Sequence, residues 1–215
     1  FPDSKIDRMD MDSTRSKNAY QRIIHDFETR KTNILTGTQM VTKGLDFDHI
    51  AVVGILNADK LLQFPDIRAG ERAFQLMTQV AGRAGRRKKQ GKVVIQTFQP
   101  DHPVIRETVM GAYNLMFRRE MGERKAFHYP PYSRMITVLL KHKKPDTVDE
   151  AALVYANLVG SKLGTRVIGP SPPGIARVRG LYLQHLIVKL EKDTKVLHAA
   201  KVWLQEAKAA VQNMP

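Results

Sequence analysis

The sequence predicts a mixed α/β protein, with a parallel sheet in its first part and a small α+β domain after it. Three observations carry this. Short β-branched runs alternate with amphipathic stretches over residues 1–101. Tyr129-Pro130-Pro131-Tyr132 then interrupts the chain. Beyond it the order becomes strand–helix–strand–strand–helix. The expected organisation is a lobe over 1–101, a helical linking segment over 102–131 and a second domain over 132–215.

Lys5 to Met11 alternates weakly as a strand, and Asp12-Ser13-Thr14 offers N-cap residues for the helix that follows. Tyr20, Ile23, Ile24 and Phe27 recur at the spacing of one helix face, which predicts a helix over Lys17–Arg30. Asn33–Thr36, Ile50–Leu56 and Gly91–Thr97 read as short buried strands. Phe74, Leu76, Met77 and Val80 predict a helix over Glu71–Ala84. The apolar residues from Val104 to Phe117 predict one helix over His102–Lys125. In the second domain the predicted elements are a strand Arg134–Leu140, a helix Thr147–Leu163, a strand Arg166–Gly169, a stiff loop Pro170–Gly174, a strand Leu181–Leu190 and a helix Lys195–Gln212. Trp203, between Val202 and Leu204, reads as a core side chain rather than a base-stacking one.

The composition narrows the function. With no cysteine, disulfides and thiolate metal sites are excluded, and the seven His are scattered without a ligand spacing, so no metal site is expected in this chain. No apolar run approaches the roughly 20 residues that span a bilayer, so no membrane partner is expected. The start, Phe1-Pro2-Asp3-Ser4-Lys5, lacks the features of a signal peptide and reads as an internal stretch of a longer protein. The formal charge of +14 suits a polyanionic partner, although a solvated basic surface would carry it equally well. Residues 111–215 hold 17 basic and 8 acidic side chains, against 18 and 13 in residues 1–110, so phosphate neutralisation is more plausible in the second half.

Two stretches carry chemistry. In Gln79-Val80-Ala81-Gly82-Arg83-Ala84-Gly85-Arg86, two arginines three apart fall on one face of the predicted helix end, beside glycines that permit close approach. Guanidinium forks match phosphate oxygens, and arginine fingers stabilise charge on a transferring γ-phosphate. An arginine-rich helix C-terminus favoured by the helix dipole explains the same residues. The stretch Ile34 to Phe47 follows a buried strand and offers hydroxyls, glycines and a carboxylate, suited to gripping a phosphate chain or a ribose; an ordinary strand-to-helix loop is the other reading.

Together these stretches resemble motifs V and VI of superfamily 2 helicases. Gly37-Thr38-Gln39-Met40 with Lys43-Gly44, then Gln75-Leu76 and Thr78 to Arg86, Gly91 to Thr97, Pro100-x-His102-Pro103, Pro130-Pro131-Tyr132 and Val167-Ile168-Gly169-Pro170, resemble the primosomal PriA helicase family over nearly the whole chain. The resemblance implies that 1–101 is part of a second RecA-like lobe and that 132–215 is a DNA-binding domain similar to ribosomal protein S-ten. It implies an ATP-dependent 3′–5′ DNA helicase that recognises branched DNA and restarts stalled replication forks in the bacterial cytoplasm, at the nucleoid. The implied partners are forks with single-stranded and duplex arms, other primosome proteins, the loader of the replicative helicase and single-strand-binding protein. By the same resemblance Arg86 is the arginine finger, Arg83 a second γ-phosphate or interface contact and Gln79 an orienting residue. Gly44, Asp46 and Gly82 lie near the nucleotide; Thr36, Thr38 and Lys43 face single-stranded DNA; Arg177 and Arg179, flanking a tight Ala176–Gly180 segment, contact phosphates.

What is missing shapes the expectation. No G-x-x-x-x-G-K-[ST] loop occurs, and Asp149-Glu150 lies at a predicted helix start rather than after a buried strand, as a metal-binding acidic pair requires. In the family resembled, a first lobe supplies those elements and binds ATP with Mg²⁺, and a cysteine-rich module binds zinc. This chain alone is therefore expected to bind DNA without hydrolysing ATP. A non-catalytic DNA-binding or partner-docking module, and a translocating subunit for RNA, are the other readings.

Overall fold

The computed structural model describes residues 2–14, 16–38, 47, 49–85 and 91–212. The chain forms two compact units, Phe1–Phe117 and Arg118–Pro215.

In the first unit, β1 (Ile6–Met9) and β2 (Ile34–Gly37) pair in parallel, from Ile6 opposite Ile34 to Met9 opposite Gly37. Parallel neighbours need a crossover, here α1 (Lys17–Glu28). Its inner face buries Ile23 and Phe27 against Met9 and Phe47, with the Phe27 and Phe47 rings 4.7 Å apart edge to face. The N-cap is Ser16, whose hydroxyl accepts the Ala19 N–H, and not the expected Asp12-Ser13-Thr14. Those residues are engaged elsewhere: Asp10 Oδ1 accepts from the N–H groups of Asp12 and Ser13, and the Thr14 hydroxyl donates to the Asp10 carbonyl. A second parallel pair joins β3 (Val52–Ile55) to β4 (Lys92–Ile95), connected through α2 (Asp59–Leu62) and α3 (Ala69–Ala81). Asp59 is buried; its carboxylate accepts the Thr97 hydroxyl at 2.9 Å and the Phe98 N–H at 3.1 Å, tying α2 to the end of β4. Burial alone pushes this carboxyl up, but the Phe98 and Thr97 hydrogen bonds outweigh it and hold it below the ordinary carboxylate range.

The single helix expected over His102–Lys125 is two helices, α4 (Pro103–Val109) and α5 (Tyr113–Ala126). Gly111 adopts φ +62°, its N–H bonds to the Thr108 carbonyl, and the Ala112 N–H bonds to the Glu107 carbonyl. This is a Schellman termination, in which a left-handed glycine satisfies the last carbonyls and turns the chain. Val104, Ile105 and Met116, which the sequence places in a linking segment, are buried in one core with Ile55, Phe74 and Met77.

The second unit is an antiparallel sheet in the order β5–β8–β6, with β7 also pairing to β8: β5 (Arg134–His142), β6 (Val167–Ser171), β7 (Arg177–Val178) and β8 (Leu181–Leu190). The helices α6 (Pro145–Leu163) and α7 (Thr194–Gln212) cover one face. Leu186, Val188 and Leu190 alternate along β8 and bury into Tyr155, Val159, Leu163 and Leu204. Fully burying each such side chain contributes about 1.5–3 kcal/mol. Tyr155 donates its hydroxyl to the Leu204 carbonyl at 3.0 Å, joining the two helices. Trp203 packs against the same core, as the sequence reads it. Pro170 and Ser171, expected in a loop, belong to β6, an edge strand, where a missing N–H is tolerated. Gly169 lies at φ +106°, and a Cβ there would meet the His185 carbonyl at 2.8 Å.

Candidate functional site

Helix α3 presents Ala73, Phe74 and Met77 to the core, which leaves Gln75, Thr78 and Gln79 exposed. The helix ends at Ala81, not Ala84, with Gly82 capping it by an N–H to the Thr78 and Val80 carbonyls. Arg83 therefore sits in the turn after the helix, half-buried, and Gly82 is exposed beside it. The expected helical pairing of Arg83 with Arg86 is not what positions Arg83. Arg86, the expected finger, lies outside the described residues.

The turn itself is tightly fixed. The Arg83 N–H bonds to the Val80 carbonyl and the Gly85 N–H to the Ile50 carbonyl, while Gly85 turns at φ +76°. Gly91, entering β4, packs so closely that a Cβ would lie 2.4 Å from the Gly85 nitrogen and 2.6 Å from the Ala84 Cβ. Gly85 and Gly91 thus fix the Gly82–Gly85 turn, and the side chain that leaves it, Arg83, has a defined origin. A planar cation on a rigid turn suits a phosphate held from another direction.

The second expected stretch is described only in part. Thr36 and Thr38 are exposed at the C-terminal end of β2, and the Thr38 N–H bonds to the Met9 carbonyl of β1. Lys43, Gly44 and Asp46 lie outside the described residues. Because β1 and β2 run parallel and in register, the Asp10–Thr14 loop emerges beside Thr38. The sequence reading missed this loop. Asp10 is buried, accepts from the Ser13 N–H and pairs with Arg8. These contacts, the Ser13 backbone bond foremost, hold its carboxyl below the ordinary range. The spacing Arg8-x-Asp10-x-x-Ser13 was the available signal.

In the second unit Arg177 and Arg179 occupy a β-hairpin, which accounts for the tight Ala176–Gly180 segment of the sequence. Arg177 pairs with Tyr182 and Val178 with Leu181, leaving Arg179-Gly180 as the turn, with φ +50° and +81°. Two positive φ values define the type I′ geometry favoured between twisted strands. The Arg177 guanidinium lies 4.8 Å from the centre of the Tyr182 ring. Tyr182 also pairs with His142 at the end of β5, which brings the exposed Lys141, Lys143 and Lys144 to the same end of the sheet as the hairpin. The sequence reading did not select these lysines, although the run Lys141-His142-Lys143-Lys144 was visible. The structure therefore collects one cationic end from β5 and the β7–β8 hairpin. Five like charges at one end attract phosphates more strongly than the same charges dispersed.

Among the described residues no group of three or more His, Asp or Glu side chains is arranged to hold a metal ion. No described helix is long and apolar enough to cross a membrane.

Known families match both units. Residues 3–88 match the helicase conserved C-terminal domain, and residues 125–214 the primosomal protein N C-terminal domain. The chain is 37% identical over 99% of its length to the replication restart protein PriA of Bacillus subtilis. It is 38% identical over 92% of its length to that of Synechocystis, and 36% identical over 97% to that of Treponema pallidum. It spans 27%, 24% and 32% of those three relatives.

Proposed function

The chain belongs to the PriA family of replication restart proteins, and from that we propose that it supplies half of a catalytic site and a DNA grip to an ATP-dependent 3′–5′ DNA helicase acting at branched DNA. The observation that carries the catalytic half is the clamped Gly82–Gly85 turn with Arg83 leaving it, directly before Arg86. Arg86 is the arginine finger, Arg83 a second contact and Gln79 the residue that orients them; Gly44 and Asp46 lie near the nucleotide. These residues fit one side of a γ-phosphate and offer no cradle for the rest of ATP, since the chain carries no Gly-Lys-Ser/Thr loop. When bound to another lobe of the whole protein, Mg²⁺-ATP supplies the free energy for translocation. Thr36, Thr38 and Lys43 contact single-stranded DNA, and Arg177 and Arg179 neutralise phosphates. Replication restart is the role that the relatives' names print; other primosome proteins, a helicase loader and single-strand-binding protein are the partners this reading adds.

The test compares two settings. In the whole protein, Arg86→Ala lowers DNA-stimulated ATP hydrolysis by a factor on the order of 10³–10⁵. The 215-residue chain alone is expected to show no turnover. Intact hydrolysis in the Arg86→Ala protein, with DNA binding reduced, would favour a non-catalytic DNA-binding module instead.

A further inference from the structure

The end of β1 holds a buried acid that the proposed function does not use. Asp10 is 8% exposed. A carboxylate loses its hydration there and persists only if it is hydrogen-bonded or paired. Asp10 is both. Its Oδ1 accepts the Asp12 N–H at 3.1 Å and the Ser13 N–H at 2.9 Å, and its Oδ2 pairs with the Arg8 guanidinium. Its backbone is held as well: the Asp10 N–H donates to the Ser13 hydroxyl oxygen at 2.8 Å, and the Thr14 N–H donates to the Asp10 carbonyl at 3.0 Å. One residue thus fixes the loop from Asp12 to Thr14.

The same carboxylate holds Arg8, and the strand register gives Arg8 a direction. Arg8 pairs with Thr36, Asp7 with Leu35 and Met9 with Gly37. Met9 and Leu35 pack with the α1 side chains Ile23 and Phe27. Side chains alternate along a strand, so Arg8 and Thr36 lie together on the face away from α1. Both are exposed, the Arg8 side chain by 72% although Asp10 holds it. A guanidinium carries more N–H donors than one carboxylate oxygen can accept. Thr38 is exposed at the end of β2, with its N–H on the Met9 carbonyl at 3.4 Å. A tethered cation and two hydroxyl side chains therefore stand at one strand end. Of the neighbouring acids, Asp7 lies on the α1 face, where it accepts the Thr32 hydroxyl, and Asp12 is exposed at the loop tip.

We infer that Arg8 is a further phosphate contact for single-stranded DNA in the first unit, and that Asp10 is its positioning residue, holding the guanidinium on the Thr36 face and the Asp12–Thr14 loop beside Thr38. The match to the helicase conserved C-terminal domain covers residues 3–88 and so includes this strand end, which makes a nucleic-acid strand the ligand class for a cation here. An untethered arginine must order a long side chain to meet a phosphate, and the pairing with Asp10 removes much of that entropy cost. The carboxylate also repels a phosphate, so Asp10 favours binding only where geometry outweighs charge. That opposition lets positioning and charge be told apart by sign. The inference rests on the reading that Thr36 and Thr38 contact single-stranded DNA.

The test uses the whole protein, a thymidine oligonucleotide and ATP hydrolysis, with the DNA concentration for half-maximal stimulation read at several salt concentrations. Arg8→Ala is expected to raise that concentration by about five- to tenfold and to flatten its salt slope by about one unit, whereas Arg8→Lys keeps the slope. Asp10→Ala raises it by about fivefold although a negative charge is removed. Asp10→Asn keeps an oxygen for the Asp12 and Ser13 N–H groups, loses the pairing with Arg8, and falls between Asp10→Ala and the unmodified protein. Asp12→Asn makes the same change of charge at an exposed position of the same loop and lowers the concentration, by up to about twofold. Each loss lies in the DNA concentration rather than in the rate reached at saturation. Tighter DNA dependence in Asp10→Ala, matching Asp12→Asn, overturns the positioning role, and an unchanged salt slope in Arg8→Ala overturns the phosphate contact. Losses in Thr36→Ala and Thr38→Ala with none in Arg8→Ala or Asp10→Ala overturn the inference and leave the DNA reading of this strand end standing. An unmodified DNA dependence in all four removes that reading and the inference with it.

Discussion

The two units solve different problems with similar amounts of chain. The first builds parallel pairs with loops fixed beside strand ends: Asp10–Thr14 after β1, Thr38 after β2, and the clamped Gly82–Gly85 turn ahead of β4. The second builds one antiparallel sheet with a continuous core from Tyr155 to Ala207. Loops fixed at their bases but presenting cations and hydroxyls outward are suited to a ligand shared with something else. A closed core with a charged end and an open face is suited to act alone. The contrast locates dependence on the rest of the protein in the first unit, and self-sufficiency in the second.

The largest effect that can test this contrast is in the second core. Leu186 is fully buried in the centre of β8, and Leu186→Ala is expected to cost about 2–5 kcal/mol. The chain has a single tryptophan, Trp203, packed on that core, so its fluorescence reports unfolding of this unit alone. If Leu186→Ala leaves the Trp203 transition in denaturant unmoved, the second unit does not stand on this core.

A smaller effect is expected where the first unit fixes its turn. Gly91→Ala places a methyl against the Gly85 nitrogen and Ala84, and overpacking of this kind costs about 1–3 kcal/mol. The Trp203 transition should stay in place while amide exchange of Gly85 accelerates. In the whole protein the same substitution should lower ATP hydrolysis without weakening DNA binding by the second unit. Unchanged exchange at Gly85 would mean that the turn is not clamped by Gly91.

The smallest expected effect is a pH dependence confined to the first unit. Asp59 has a folded pKa below its unfolded value, so its contribution is present above the ordinary carboxylate range and is lost as pH falls through the depressed value. Acidification from neutral pH to about 3 should therefore lower the protection of the Phe98 amide, which donates to Asp59, measured as its exchange relative to the intrinsic rate at each pH. Asp59→Asn cannot ionise and should flatten that dependence. An equally steep dependence in the variant would assign the acid sensitivity to another group.

Much of this was legible in the sequence, for identifiable reasons. The strand Leu181–Leu190 is found with the expected bounds because its alternation matches one buried face. The helix Lys195–Gln212 is found starting one residue earlier, at Thr194. The break at Gly111 was hidden because the apolar residues of α4 and α5 continue at helical spacing across it, and only the glycine's left-handed conformation reveals the stop. The end of α3 was placed too late because Gly82-Arg83-Ala84 has no strong helix breaker beyond one glycine. The lysines Lys141, Lys143 and Lys144 were visible as a run, but their neighbourhood with Arg177 and Arg179 depends on the shared pairing with β8, across roughly forty residues of intervening sequence, which periodicity does not encode. The motif residues Thr36, Thr38, Gln79 and Arg83 could be singled out from the sequence, while the packing of Gly91 against Ala84 and Gly85 could not.

The hairpin turn at Arg179-Gly180 has a consequence for how the second unit could be changed. A turn chosen for folding alone takes Asn or Gly at its first position, since a left-handed residue with a longer side chain carries a penalty of roughly 1–2 kcal/mol. Arginine stands there at φ +50°. Selection for a hardier domain, by heat or by consensus, would drift toward Asn-Gly and in doing so remove the cation at the tip of the hairpin. If Arg179 neutralises phosphates as proposed, robustness and grip pull in opposite directions at this one position, and a thermally improved variant is the wrong material in which to look for nucleic-acid binding.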